Sequence, residues 1–209
     1  MEKQGTLGKL KEKEREVRQK IIIDAARKVF EKKTYDKASM AEIAKVAGMA
    51  KSSIYTYFSS QEALYVEIAY RDSNHFIGDL KKKLKNNQPN SLQLAIDHFL
   101  DYYIHHKARW RMITHFALHG NNENESLEKL NDISRQLMDL FETIIADSGC
   151  HGNTRLLAHS LFSSLSGILI AFRNYPGRSE EERISHMKRI GSVVEEMITA
   201  LMEKEVVSG

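Results

Sequence analysis

Two prolines in 209 residues, Pro89 and Pro176, set the tightest limit on what this chain can become. Proline removes a backbone donor and clashes with the preceding helical turn, so its scarcity leaves long stretches free to be helical. Sustained period-2 alternation, the mark of a half-buried strand, is absent, while apolar residues recur at helical spacing along nearly the whole chain. The pattern predicts an all-α protein of about nine helices, near 15–33, 39–48, 51–58, 59–85, 91–106, 110–119, 126–147, 153–174 and 179–203.

The punctuation agrees. Gly48, Gly120, Gly149 and Pro176-Gly177 stop helices, and Ser39-Met40-Ala41-Glu42 has the form of a capping box. In such a box Ser39 takes the amide of Glu42 while the Glu42 carboxylate reaches back to the cap amide. Residues 1–14 read as a mobile basic arm, 15–70 as a small first domain and 71–209 as a larger helical one. The boundary falls inside a long helix, because no linker-like composition appears there.

Residues 1–60 hold 14 Lys+Arg against 8 Asp+Glu, whereas residues 61–209 hold 17 against 20. A basic end on a neutral-to-acidic body suits phosphate binding; the alternative is a solvated basic tail. One cysteine, Cys150, excludes an intramolecular disulfide and a multi-Cys zinc site within the chain. The N-terminus, Met1-Glu-Lys-Gln-Gly, lacks the apolar core of a secretory leader, so a cytoplasmic location is expected. Leu156 to Phe172 is the most apolar stretch, but His159, Ser160, Ser163, Ser164 and Ser166 interrupt it and no membrane span is expected.

The densest information lies in residues 39–64. Two short apolar-periodic segments meet at Gly48, where the lack of a Cβ permits a left-handed backbone. Small Ala44 allows a close crossing, and Ile43, Ala47 and Ile54 lock it, as in a helix-turn-helix whose second helix enters the major groove. The run Ile43-Ala44-x3-Gly48-x2-Lys51-x2-Ile54-Tyr55-x-Tyr57-Phe58-x3-Glu62-x-Leu64 resembles the signature of the tetracycline-repressor (TetR) family. The resemblance covers about residues 15–70; beyond them only helix number and length agree. It implies a DNA-binding regulator, most simply a ligand-released repressor that grips a palindromic double-stranded operator as a homodimer.

Chemistry and resemblance point to the same positions. Lys51, Ser52 and Ser53 begin the second helix and can donate to, or accept from, base edges. Tyr55, Thr56 and Tyr57 offer hydroxyls for phosphate, and Ser39 resembles the family's phosphate-binding hydroxyl at a helix N-terminus. Met40 and Gln61 complete the expected set. The sequence departs from the family at two places. Ala50 stands where most relatives carry Ser or Thr, and Gln61 where most carry Lys, which removes a frequent phosphate contact. The basic arm (Lys9, Lys11, Lys13, Arg15, Arg18) is expected to compensate by reaching the minor groove.

Met187, Ile190, Val194, Met197 and Leu201 repeat at 3-4-3-4 spacing, and Leu161, Leu165, Ile168 and Phe172 line the apolar stretch before them. Both segments suit a four-helix homodimer seam; the alternative is internal packing. The middle helices correspond to the resemblance's sensor region. There His98, Tyr102, His105, Trp110, His115, Phe116 and His119 are candidates for a small-molecule effector pocket, against the alternative of an ordinary aromatic core. His115 and His119 stand at i, i+4, a metal-ligand spacing, but lack the Glu of a zinc hydrolase. A metal-responsive sensor is thus a minor alternative, and no cofactor or metal is expected. No phosphate-binding glycine loop, nucleophile elbow or acid–base pair points to an enzyme. A ligand-independent DNA-binding regulator is the other reading left open.

Overall fold

The computed structural model describes the backbone of residues 2–85, 91–119, 124–150 and 152–207, and the side-chain surroundings of 8–85, 91–115, 128–150 and 152–202. Among these residues the protein is all-helical, with no strand. The helices are α1 (Glu2–Lys32), α2 (Met40–Ala47), α3 (Lys51–Tyr55), α4 (Gln61–Lys85), α5 (Ser91–His105), α6 (Lys107–His119), α7 (Asn124–Asp147), α8 (Thr154–Phe172) and α9 (Glu180–Val207). A single 3-10 turn, Tyr35–Lys37, follows α1. The described residues beyond Glu2 therefore make the expected arm the start of α1. The stop expected at Gly120 lies outside the described residues.

Caps fix several ends. The Ser39 hydroxyl accepts the amide of Glu42 at 3.2 Å, but the Glu42 carboxylate accepts Lys33 Nζ at 2.9 Å. Half of the predicted capping box forms on α2. The full reciprocal box appears instead at α9, where Ser179 N–H donates to Glu182 Oε2 at 2.7 Å and Glu182 N–H to Ser179 Oγ at 3.1 Å. Asn153 accepts the amide of Leu156 at 3.0 Å and opens α8.

The chain divides into two compact units: Met1–Arg71 with Ala108–Lys129, and Asp72–Lys107 with Leu130–Gly209. In the first, the buried face of α1 carries Ile22, Ala25, Ala26, Val29 and Phe30 and packs on α2. Tyr65 of α4 meets the Phe30 ring edge-on at 4.7 Å and Tyr35 at 5.0 Å. Arg111 of α6 donates from Nη2 to the carbonyls of Phe30 at 2.7 Å and Glu31 at 3.4 Å, satisfying acceptors that the end of α1 leaves open. Glu67 of α4 accepts from Arg71 at 2.7 Å and Lys129 at 2.9 Å.

In the second unit, α5 packs on α8 and α9, and α8 on α9. Phe76, Phe99, Tyr103 and Phe141 form its aromatic centre; Phe76 meets Phe99 at 5.8 Å and Phe99 meets Tyr103 at 4.9 Å. Gly191 lets α9 close on α5, since a Cβ there would lie 2.7 Å from Leu100 Cδ1 and 3.1 Å from Ile96 Cγ2.

The expected dimer seam needs correction. Leu161, Leu165 and Ile168 of α8 and Met187 and Val194 of α9 are buried inside this unit, with Phe172 and Ile190 half-buried. Of the residues expected in the seam, Met197 and Leu201 are the exposed ones. The other large apolar residues exposed on these helices are Leu156 and Ile170 on α8 and Val193 on α9, each more than half exposed. Both helices are apolar on more than one stripe, so spacing alone did not say which stripe the unit keeps for itself. Among the described residues α8 is the one helix long and apolar enough to cross a membrane by length and composition. Its Leu157, Leu161, Leu165, Ile168 and Leu169 are instead buried against protein.

Candidate nucleic-acid interface

The interface candidate is built on α2, the turn after it, and α3. Gly48 ends α2 with φ 66° and ψ 31°, the left-handed conformation that a residue with a Cβ resists. Met49 N–H then donates back to Ala44 O at 3.0 Å, which closes the turn. The chain can therefore re-enter a helix at Lys51 after only three residues. Ala50 occupies the cap position of α3 and supplies no side-chain bond.

Ile54 points inward and is fully buried, and Phe58 follows it into the core. These two anchors rotate α3 so that its remaining side chains face outward. Lys51, Ser52, Tyr55 and Thr56 are exposed, and Ser53 and Tyr57 half-buried. The Lys51 ammonium lies 5.9 Å from the centre of the Tyr55 ring, one turn away. The α-helix is shorter than the 51–58 expected. It ends at Tyr55, and bonds from Thr56 N–H to Ser53 O at 3.3 Å and from Tyr57 N–H to Ile54 O at 2.9 Å tighten the last turn.

The electrostatics favour an anion. Between Glu42 and Glu62 the sequence contains no carboxylate, while Lys45 and Lys51 stand exposed. Ser39 is exposed at the N-terminus of α2, where amide dipoles attract negative charge; its Oγ accepts an amide and keeps an O–H to donate.

Two expected members behave differently. Met40 is buried and belongs to the core, because the first residue after the Ser39 cap turns its side chain onto the packing face. Gln61 is half-buried, and its Nε2 donates to Tyr35 O at 2.9 Å. Where a Lys would carry a free charge, Gln61 pins the 3-10 turn to the start of α4.

The effector-pocket candidates scatter. In the second unit His98 is buried, stacked on Phe76 at 5.0 Å, with Lys83 Nζ 2.9 Å from its Nδ1. Burial, then the Lys83 charge, pushes the His98 pKa down, so the ring is neutral and Nδ1 accepts. Tyr102 meets the same Phe76 at 5.0 Å and donates to Asp72 O at 3.1 Å. His105 is exposed, its Nδ1 2.7 Å from Asp101 O. Trp110 and His115 fall in the first unit. Trp110 is buried, and His115 lies 4.6 Å from the Tyr35 ring and 5.5 Å from Tyr65. There an open cleft of about 200 Å³ is lined by Thr34, Tyr35, Asp36, Tyr65, Arg111, Thr114 and His115. The side chains of Phe116 and His119 lie outside the described residues. Among the described residues no three His, Cys, Asp or Glu side chains gather as a metal site would require.

Sequence reasoning missed Arg111, whose partners are backbone carbonyls about eighty residues away and leave no pattern in the sequence.

Comparison with known proteins agrees with this geometry. The profile of the bacterial regulatory proteins of the tetR family matches residues 22–68. The chain is 31% identical over 151 residues to the HTH-type transcriptional activator FasR of Mycolicibacterium smegmatis, covering 70% of this chain and 68% of that protein. Its fold is similar to that of the transcriptional regulator FadR from Bacillus subtilis in complex with stearoyl-CoA, with a TM-score of 0.69 at 20% identity, over 83% of this chain and 96% of the other. AibR in complex with isovaleryl coenzyme A and operator DNA aligns with a TM-score of 0.63 at 17% identity, over 82% of this chain and 96% of that one.

Proposed function

This chain belongs to the tetR family of bacterial regulatory proteins, and from that premise we propose that it binds a two-fold symmetric operator as a homodimer and is released by a small-molecule effector. The observation that carries the reading is the outward face of α3. Lys51, Ser52, Tyr55 and Thr56 stand clear of the body, with no carboxylate nearby in sequence, while Ile54 anchors the helix from behind. Lys and Ser there read base edges; Ser39 and Tyr57 hold phosphates. A single short recognition helix spans few base pairs, so a second copy reading a half-site one helical turn away supplies the rest of the specificity. The exposed apolar side chains Leu156 and Ile170 on α8 and Val193, Met197 and Leu201 on α9 support that pairing. The operator is in the cytoplasm, and so is the protein.

For the effector we propose an acyl-coenzyme A. Support comes from the two structural neighbours solved with acyl-coenzyme A ligands. The effector shifts operator affinity only by the difference between its affinities for the two states. A second reading, ligand-dependent activation, is favoured by one observation: the 31%-identical relative is named an activator.

Selection of bound duplexes from a random pool tests the DNA reading, with a palindromic consensus as the expected outcome. Titrating that complex with acyl-coenzyme A thioesters of graded chain length, against free coenzyme A, then tests the effector. Release that depends on the acyl chain supports the proposal. No change in operator affinity with any thioester removes it.

A further inference from the structure

The length of α1 has a consequence for DNA binding. Only the part from Ile22 onward is buried; residues 8–20 extend the same helix with almost every side chain in solvent. At about 100° per residue, Lys11, Arg15 and Arg18 fall within about 60° of one another on the helical wheel. They share the direction of Ile22, Ala25 and Val29, the side of α1 that packs in the first unit. The packing face thus changes from apolar to basic one turn before Ile22. Arg18 also lies within electrostatic range of Tyr57, just past the end of α3. Lys9, Lys13 and Lys20 occupy the opposite side of the helix, by the same count.

We infer that the Lys11–Arg15–Arg18 face of α1 is a second phosphate-binding surface, which takes the duplex backbone beside the half-site read by α3. This rests on the DNA-binding reading above and deepens it. A continuous helix cannot thread a minor groove as an extended arm does, so the arm expected from sequence acts instead as a rigid strut against phosphates. It supplies the charge that Gln61 lacks. Glu14 pairs with Arg18 at 2.9 Å, but both side chains are about half exposed or more, where such pairs are weak and a phosphate can displace the carboxylate.

The test compares two triple variants of the full chain on its selected operator. Lys11→Gln/Arg15→Gln/Arg18→Gln clears the inner face, and Lys9→Gln/Lys13→Gln/Lys20→Gln removes the same charge from the outer face. Glutamine keeps helix propensity in both. The slope of log affinity against log salt should become shallower by about 2–3 per bound protomer in the first variant, at about 0.9 per lost phosphate contact. It should change by less than one unit in the second, and sequence preference should persist in both. Equal loss in the two variants assigns the effect to net charge and overturns the inference. So does an unchanged slope in the inner-face variant, including the case where that variant loses binding to anionic phosphatidylserine vesicles instead. In each case wild-type operator binding continues to support the DNA reading. Circular dichroism of both variants checks that α1 still forms.

Discussion

Arg111 on α6 donates to the carbonyl oxygen of Phe30 at 2.7 Å and thereby closes the C-terminal end of α1. The contact is charge-assisted and part-buried, and its acceptor is one of the carbonyls a helix end leaves without an intrahelical donor. Replacing Arg111 by Ala should lower stability by about 1.5–3 kcal/mol, the usual range for a lost hydrogen bond to a charged group. Thermal unfolding should record a drop of roughly 3–12 °C for a chain of this size. An unchanged midpoint would show that water satisfies the α1 carbonyls equally well.

At the interface, Lys51→Ala should weaken operator binding by about 1–3 kcal/mol if its ammonium reads a base. Tyr57→Phe should cost less, since it removes one hydroxyl and leaves the ring. Both proteins should keep the wild-type unfolding midpoint, because neither side chain is buried in the core. Ile54→Ala is the contrast: its side chain is fully buried, and the truncation should cost about 2–5 kcal/mol and unfold the helix-turn-helix. Fluorescence anisotropy and differential scanning calorimetry on the three variants separate contact from packing. Normal affinity in both surface variants contradicts the assignment.

The two sides of α8 and α9 should respond oppositely to charge. Ile170→Asp with Met197→Asp places carboxylates on exposed positions, and should give a folded monomer by sedimentation equilibrium. Leu165→Asp buries an unpaired charge at a fully enclosed position and should prevent folding altogether. A double exposed-face variant that stays dimeric excludes these positions as the seam.

Glu67 gives a pH dependence with a definite sign. Burial pushes its pKa up, but hydrogen bonds from Arg71 and Lys129 and their charges outweigh it, so the carboxyl titrates below its ordinary value. The unfolded chain therefore takes up this proton first. The contribution is present in full above the unfolded pKa and is lost as pH falls through the lower folded one. Glu67→Gln should cost about 1 kcal/mol near neutrality and flatten the acid limb of the stability curve. Denaturant midpoints measured from pH 7 down to pH 3 test it; an acid limb identical in the variant would assign the acid loss to other carboxylates.

Much of this protein is written in local pattern. Helix positions followed from apolar spacing and from Ser39, Gly48, Asn153 and Ser179, because caps and left-handed turns act within four residues of chain. The helix-turn-helix segment is equally legible: Gly48, Ile54 and Phe58 fix its turn and its buried side through neighbours in sequence. Met40 is the reverse case, since proximity to the Ser39 cap says nothing about which way the next side chain points.

What the sequence determined by itself is where the chain is helical and which short segment follows the Gly48 turn, since both depend on interactions a few residues long. Only the tertiary structure decided which apolar stripe of α8 and α9 each helix keeps inside, that Glu42 answers Lys33 and not its own cap, and that Arg111 holds the end of α1. Those choices are made by groups beyond one another's own helix, from nine residues away for Lys33 and Glu42 to about eighty for Arg111 and Phe30. Several partners of equal chemistry compete for them, and geometry alone selects among them.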